Sequence, residues 1–142
     1  MTDPGLIAKK LALIETYLRE LRTLARPEVI DSDVRERRFV EHTLQLAIQA
    51  CQDIASHIVS DERLGEPRTN QELFELLRAD GWFDDQLANE LQRAVGFRNI
   101  LVHGYAVVEP ALVRDVLDNH LGDLDAFVAA VRTRVSPDLG EP

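Results

Sequence analysis

The chain has 142 residues, 45% of them hydrophobic, one cysteine and a formal charge of −9. That length suits one domain with a single core, and the lone Cys51 excludes an intrachain disulfide and any zinc cluster built on cysteines, as expected of a reducing cytoplasm. No apolar run approaches the roughly 20 residues that cross a bilayer, and Lys9 and Lys10 are not followed by the features of a signal peptide, so a soluble cytoplasmic protein without membrane contact is expected.

The acidity argues against a surface that grips nucleic acid along its length, because counterion release needs many Lys or Arg contacts to phosphate. The imbalance is uneven: residues 1–40 carry eight basic and seven acidic side chains, the remainder eight and eighteen. Any RNA contact is therefore expected to be small and local. Arg98 is one place for it; the cluster Arg35, Arg37 and Arg38 is another, although a solvated helix face is the simpler account of that cluster.

In residues 5–25, Ile7, Leu11, Ile14, Leu18 and Leu21 recur at helical spacing, and Leu6, Leu13, Tyr17 and Leu24 form a second stripe about 100° away. So wide an apolar arc predicts a helix with more than one neighbour. Pro27 and Asp31-Ser32-Asp33 interrupt it with a turn and an N-cap. From Ser32 to Val59 no Gly or Pro intervenes, and Val40, Leu44, Ala47, Cys51, Ile54 and Ile58 should face a core. The opposite side aligns His42, Leu46, Gln49, Asp53 and His57. Metal ligation by His42, Asp53 and His57 is one reading of that side; a cleft-lining role, with Asp53 as counter-charge for Arg98, is another. Cys51 reads as a small buried hydrophobe.

Residues 60–68 have loop composition. Thr69 and Glu72 resemble a capping box that opens a short helix ending at Gly81. Trp82 and Phe83 supply bulk before Asp84 or Asp85 caps the next helix, whose inward stripe is Leu87, Leu91, Ala94 and Val95. Arg98, eleven residues after Leu87, projects to the same side, so it needs a partner or a polar cleft. His103 lies about 140° further round an unbroken helix. Two arrangements reunite them: Gly104 unwinds the helix and turns His103 and Tyr105 back, or a twofold dimer gathers both residues into a shared cleft. Glu109-Pro110 then opens a last long helix through Val113, Val116, Leu117, His120, Leu124, Phe127, Val128 and Val131, with His120 a hydrogen-bonded packing histidine. Residues 1–135 read as one domain and 136–142 as a disordered tail. The fold class is all-α, an up-and-down helical bundle of four main helices plus a short one, with no strand.

Arg98, four residues, His103, one residue, Tyr105 is the string that carries chemistry: a fixed cation, a base able to titrate near neutrality and a phenol, all suited to a phosphate. It resembles the Arg-x4-6-His motif of the HEPN superfamily, and its Arg-x4-His-x-Tyr form resembles the HepT-like ribonuclease toxins that pair with a minimal nucleotidyltransferase antitoxin. The resemblance implies a HEPN-like homodimer that cuts RNA, tRNA among the candidates, with Arg98 and His103 as catalytic residues. It also implies that no metal or cofactor takes part, that Asn99 supports the site as a polar neighbour, and that the antitoxin transfers AMP to Tyr105. A different class of function stays open beside it: a non-enzymatic helical adaptor, or a nucleotide-binding helper, that only holds a nucleotidyltransferase.

Overall fold

The computed structural model describes residues 2–104 and 108–135; Tyr105 and the tail expected over 136–142 lie outside the described residues. Helix α1 (Pro4–Leu24) starts where Asp3 accepts hydrogen bonds from the backbone N–H of Gly5 and Leu6, with Pro4 in the first turn. Its first stripe, Ile7 to Leu21, is buried. The second stays largely outside: Leu6, Leu13 and Leu24 are 40%, 44% and 59% exposed, and only Tyr17 packs against the core. The helix nevertheless has two neighbours, α2 and α6.

After a 3-10 turn at Pro27–Val29, Asp33 caps α2 (Val34–Asp61) by accepting from Arg35 and Glu36. Val40, Leu44, Ala47, Cys51, Ile54 and Ile58 are all buried, as the period predicts. Burial pushes the Cys51 thiol far above its ordinary pKa, so it stays a neutral apolar group. Helix α3 (Asn70–Ala79) is capped by Thr69, which accepts from the Glu72 N–H at 3.2 Å. The Glu72 carboxylate reaches back to the N–H of Arg68 rather than to that of Thr69, a variant of the capping box. Gly81, at φ +83°, takes the left-handed turn that ends this segment.

Asp84 caps α4 (Asp85–His103) through the N–H of Leu87 at 2.9 Å. Beyond Glu109, the expected last long helix is two: α5 (Pro110–Asn119) and α6 (Leu121–Val135), broken at His120, whose backbone adopts φ −122° and ψ 0°. The break is one residue long and leaves Leu117, Leu121 and Leu124 in register, which is why apolar spacing did not reveal it.

Helix α2 touches each of the other five and forms the axis of the bundle. The Phe127 ring of α6 meets Phe74 of α3 edge-on at 5.8 Å and Phe83 at 6.2 Å; burial of each such ring is worth roughly 1.5–3 kcal/mol. At the end of α6, Arg134 stacks 4.3 Å over Trp82 and donates to the Asp80 carbonyl and carboxylate at 2.8 and 2.9 Å. The described residues contain six α-helices and no strand, so the expected all-helical bundle is what forms. Among them no helix is long and apolar enough to cross a membrane.

Candidate active site

Arg98 lies in the fourth turn of α4 on the side that faces α2, and is half-buried, as its projection beside Leu87 predicts. Its Nε and Nη2 donate to the same oxygen, Gln49 Oε1 on α2, at 3.1 and 3.0 Å, and its Nη1 donates to Asn99 Oδ1 at 3.2 Å. Gln49 Oε1 also accepts from Gln45 one turn earlier, at 3.1 Å. The guanidinium is thus fixed by neutral amide oxygens, and among the described residues no carboxylate forms an ion pair with it. Amide oxygens orient the fork and leave its charge available to an anion.

This corrects the pairing expected for Asp53. That carboxylate is exposed, forms an ion pair with Lys10 of α1 and lies 3.8 Å from His57. Helix α4 meets α2 one turn earlier, at Gln49, while α1 runs past Asp53 and brings Lys10 to it. Charge favoured the aspartate in the sequence; the helix crossing favours the glutamine. Gln49 stood on the polar side of α2 in the sequence, and Gln45, four residues before it, was the unused signal of a polar ladder there.

His103 remains helical. It is the last residue of α4, and Gly104 ends the helix after it with φ −74° and ψ 120°, its N–H bonded to the Ile100 carbonyl at 2.8 Å. The glycine therefore does not unwind the helix ahead of the histidine. It is needed for space: a Cβ at residue 104 would lie 2.5 Å from the Ile100 oxygen. His103 is exposed to solvent, and a basic group in the last turn suits the negative end of the helix dipole.

Arg98, Asn99, Ile100, His103 and Gly104 line one open cleft with Asn70, the first residue of α3. Asn99 and His103 are one turn apart on the same face, so Asn99 stands between the guanidinium and the imidazole. The cation and the base share one opening, with two side-chain amides beside them. Tyr105, two residues beyond His103, lies outside the described residues.

The metal reading of His42, Asp53 and His57 does not assemble: His42 is eleven residues, about 16 Å of helix, from Asp53. His120 is hydrogen-bonded as expected, its Nδ1 3.0 Å from Asp123 Oδ2, but it sits at the α5–α6 break with Glu90 and Asp115 also within 3.4 Å. The bond to Asp123, aided by these carboxylates, raises its pKa above the ordinary value. The Arg35–Arg38 cluster occupies the first turns of α2, and Glu36 there accepts from the Arg26 N–H at 2.7 Å. It is about 16 Å along the helix from Gln49, away from the cleft.

Comparison with known proteins identifies relatives of the whole chain. The family described as ribonuclease HepT-like matches residues 14–131. The mRNA nuclease HepT of Shewanella oneidensis is 29% identical over 128 residues, which is 89% of this chain and 96% of that one. The tRNA nuclease HepT of Aphanizomenon flos-aquae is 34% identical over 110 residues, 76% of this chain and 75% of its own. Among solved structures, the tri-AMPylated Shewanella oneidensis HEPN toxin in complex with its MNT antitoxin superposes with a TM-score of 0.83 at 29% identity, over 93% of this chain and 98% of that one. The match spans the helices that build the cleft, and the chain belongs to the ribonuclease HepT-like family.

Proposed function

We propose that the protein is the toxin of a HEPN/MNT pair, a metal-independent endoribonuclease that uses Arg98 and His103. The observation that carries the reading is the Arg98 fork, held by Gln49 and Asn99 with its charge unspent, in the same cleft as an exposed imidazole. Neutral His103 takes the proton from a ribose 2′-OH. The oxygen attacks the adjacent phosphorus, the bond to the 5′ oxygen breaks, and that oxygen leaves with a proton from water. The products are a 2′,3′-cyclic phosphate and a free 5′-OH. Arg98 stabilises the charge on the phosphorane, and Asn99 keeps its fork in plane. Base catalysis is worth roughly 10²–10⁴ in rate, and one charge-stabilising donor roughly 10²–10³.

The active unit in this reading is a homodimer whose shared cleft collects both residues from each subunit. Ile100 and Val102, 46% and 38% exposed beside the cleft, supply apolar surface for such an interface. A nucleotidyltransferase antitoxin neutralises the toxin by transferring AMP to Tyr105, which places bulk and negative charge next to the site. The relative solved with its MNT antitoxin in an AMPylated state supports that step. The two curated relatives are named for different RNAs, mRNA and tRNA, so the substrate class here is RNA, with tRNA one candidate.

The test is expression of the intact chain. Growth arrest relieved by Arg98→Ala or by His103→Ala is expected, together with RNA cleavage in EDTA by the purified protein and its loss in both variants at unchanged helicity. Full cleavage by either variant overturns the assignment. Co-expression with the antitoxin should add the mass of AMP to the Tyr105 peptide; an unmodified peptide in a neutralised complex replaces that step with inhibition by binding. The acidic balance of −9 favours a second reading, an adaptor that only holds the nucleotidyltransferase. Absence of growth arrest and of cleavage would select it.

A further inference from the structure

Two carboxylates converge on one ring nitrogen at the break between α5 and α6. His120 Nδ1 lies 3.0 Å from Asp123 Oδ2 and 3.4 Å from Glu90 Oε2, and one donor atom from each residue falls within 4.8 Å of the other two. A nitrogen that carries one proton satisfies one carboxylate well and leaves the other facing it. We propose that Glu90, His120 and Asp123 form a binding site for a divalent transition cation of the zinc class, with Asp115 orienting the imidazole from behind.

The donor set is one imidazole nitrogen and two carboxylate oxygens, which suits zinc and its neighbours rather than calcium or magnesium. Ligands about 2.0–2.2 Å from a tetrahedral zinc sit roughly 3.3–3.5 Å from one another, and the contacts from Nδ1 are already near that spacing. The rear of the ring supplies a separate observation. His120 Nε2 faces Asp115 Oδ2 at 3.4 Å, the carboxylate–histidine–metal arrangement in which the second nitrogen donates its proton outward and the first is free to ligate.

Charge points the same way. Three carboxylates surround this imidazole, and Arg93, 77% exposed, lies 3.6 Å from the other Glu90 oxygen. Glu90, Asp115 and His120 also line an open cleft with Phe97, Leu112 and Val116, which gives an ion a path in and leaves room for water in the remaining coordination positions.

The ligands come from the second turn of α4, the break at His120 and the first turn of α6. A bound cation would therefore clasp the elbow of α5 and α6 onto α4. Glu90 is eight residues, about 12 Å of helix, before Arg98, so the clasp is structural and stands apart from the metal-independent chemistry proposed for the other cleft.

The test is titration of untagged, chelator-treated full-length protein with Zn2+ by calorimetry and with Co2+ by absorption spectroscopy. One ion per chain and a rise in melting temperature are expected. Glu90→Gln and Asp123→Asn should each weaken binding by at least tenfold and abolish the Co2+ bands, Asp115→Asn should weaken it by about tenfold, and His42→Gln with His57→Gln should change nothing. Glu90→Gln is isosteric and sits inside an intact helix, so it decides the matter even where a variant at the elbow fails to fold. No saturable binding by the native protein, or binding retained in both Glu90→Gln and Asp123→Asn, overturns the proposal.

Discussion

Helix α4 carries two polar clusters two turns apart, and they are built in opposite ways. At Arg98 a cation is held by amide oxygens, and no carboxylate reaches it among the described residues. At Glu90 the anions are in excess, three of them around an imidazole whose protonated form they favour. The first arrangement fixes geometry while leaving charge free for a ligand; the second uses charge to hold helices together. A guanidinium held by Gln49 is positioned like an ion-paired one and still attracts a phosphate.

The sharpest way to break that comparison is to make the first cluster resemble the second. Gln49→Glu places a carboxylate where the neutral oxygen stood, and RNA cleavage should fall by about tenfold to a hundredfold as the charge of Arg98 is spent internally. Thermal stability should hold or rise, which separates the effect from unfolding. Asp53→Asn, one turn further along α2, should leave cleavage within about twofold and cost at most about 1 kcal/mol, the worth of an exposed pair with Lys10. Equal losses in the two variants would mean that Asp53 acts on the site after all.

Gly104→Ala probes the other side of the cleft. The backbone there has an ordinary φ of −74°, so any residue tolerates the dihedral. The obstacle is the Ile100 carbonyl 2.5 Å from the new Cβ. Relief requires the chain to swing away and stretch the Gly104 N–H bond to that carbonyl, a loss of roughly 0.5–1.5 kcal/mol. Cleavage should drop more than stability does, because the last turn that carries His103 frays first. A melting temperature and a rate both equal to those of the native protein would remove the close approach from the account.

The bundle was largely legible in the sequence because apolar spacing reports directly on which side of a helix meets a core. Ile7 to Leu21 and Val40 to Ile58 lie where that spacing puts them. The cap at Thr69 was legible, and those at Asp33 and Asp84 were legible to within a residue or two, because an N-cap is a local matter of one side chain and two or three N–H groups. What spacing could not show was the break at His120, since one residue outside the helix leaves the period intact. Nor could it show the partner of Arg98, which depends on where α4 crosses α2 and so on the whole packing. The cleft was half legible: Arg98 and His103 could be named, and Gln49 stood on the side of α2 read as cleft-lining, while its bond to Arg98 and the presence of Asn70 needed the fold.

The smallest effect separates a pair that stabilises the scaffold from a group whose burial does the reverse. Arg132 of α6 donates to both Glu15 oxygens on α1, at 2.7 and 3.2 Å, and holds that carboxyl below its usual range near 4.5. Glu41 on α2 is pushed the other way, chiefly by burial, with Arg37 and Arg38 opposing. For Glu15 the folded state favours the charged form, so its contribution is complete above the unfolded pKa and is lost as pH falls through the folded one. For Glu41 the folded state favours the proton, so stability rises as pH falls through its window. Both ends of the Glu15 pair are more than a third exposed, which limits its worth to below about 1 kcal/mol. In thermal melts between pH 7 and pH 3, Glu15→Gln should lower stability at neutral pH and approach the native protein as the pH falls through the lowered Glu15 pKa. Glu41→Gln should raise stability at neutral pH, with its advantage shrinking in acid. A Glu15→Gln deficit that stays constant down to pH 3 would show that the Glu15 charge is not what its side chain contributes between α1 and α6, leaving charge at that seam to the neighbouring Arg22–Asp125 pair.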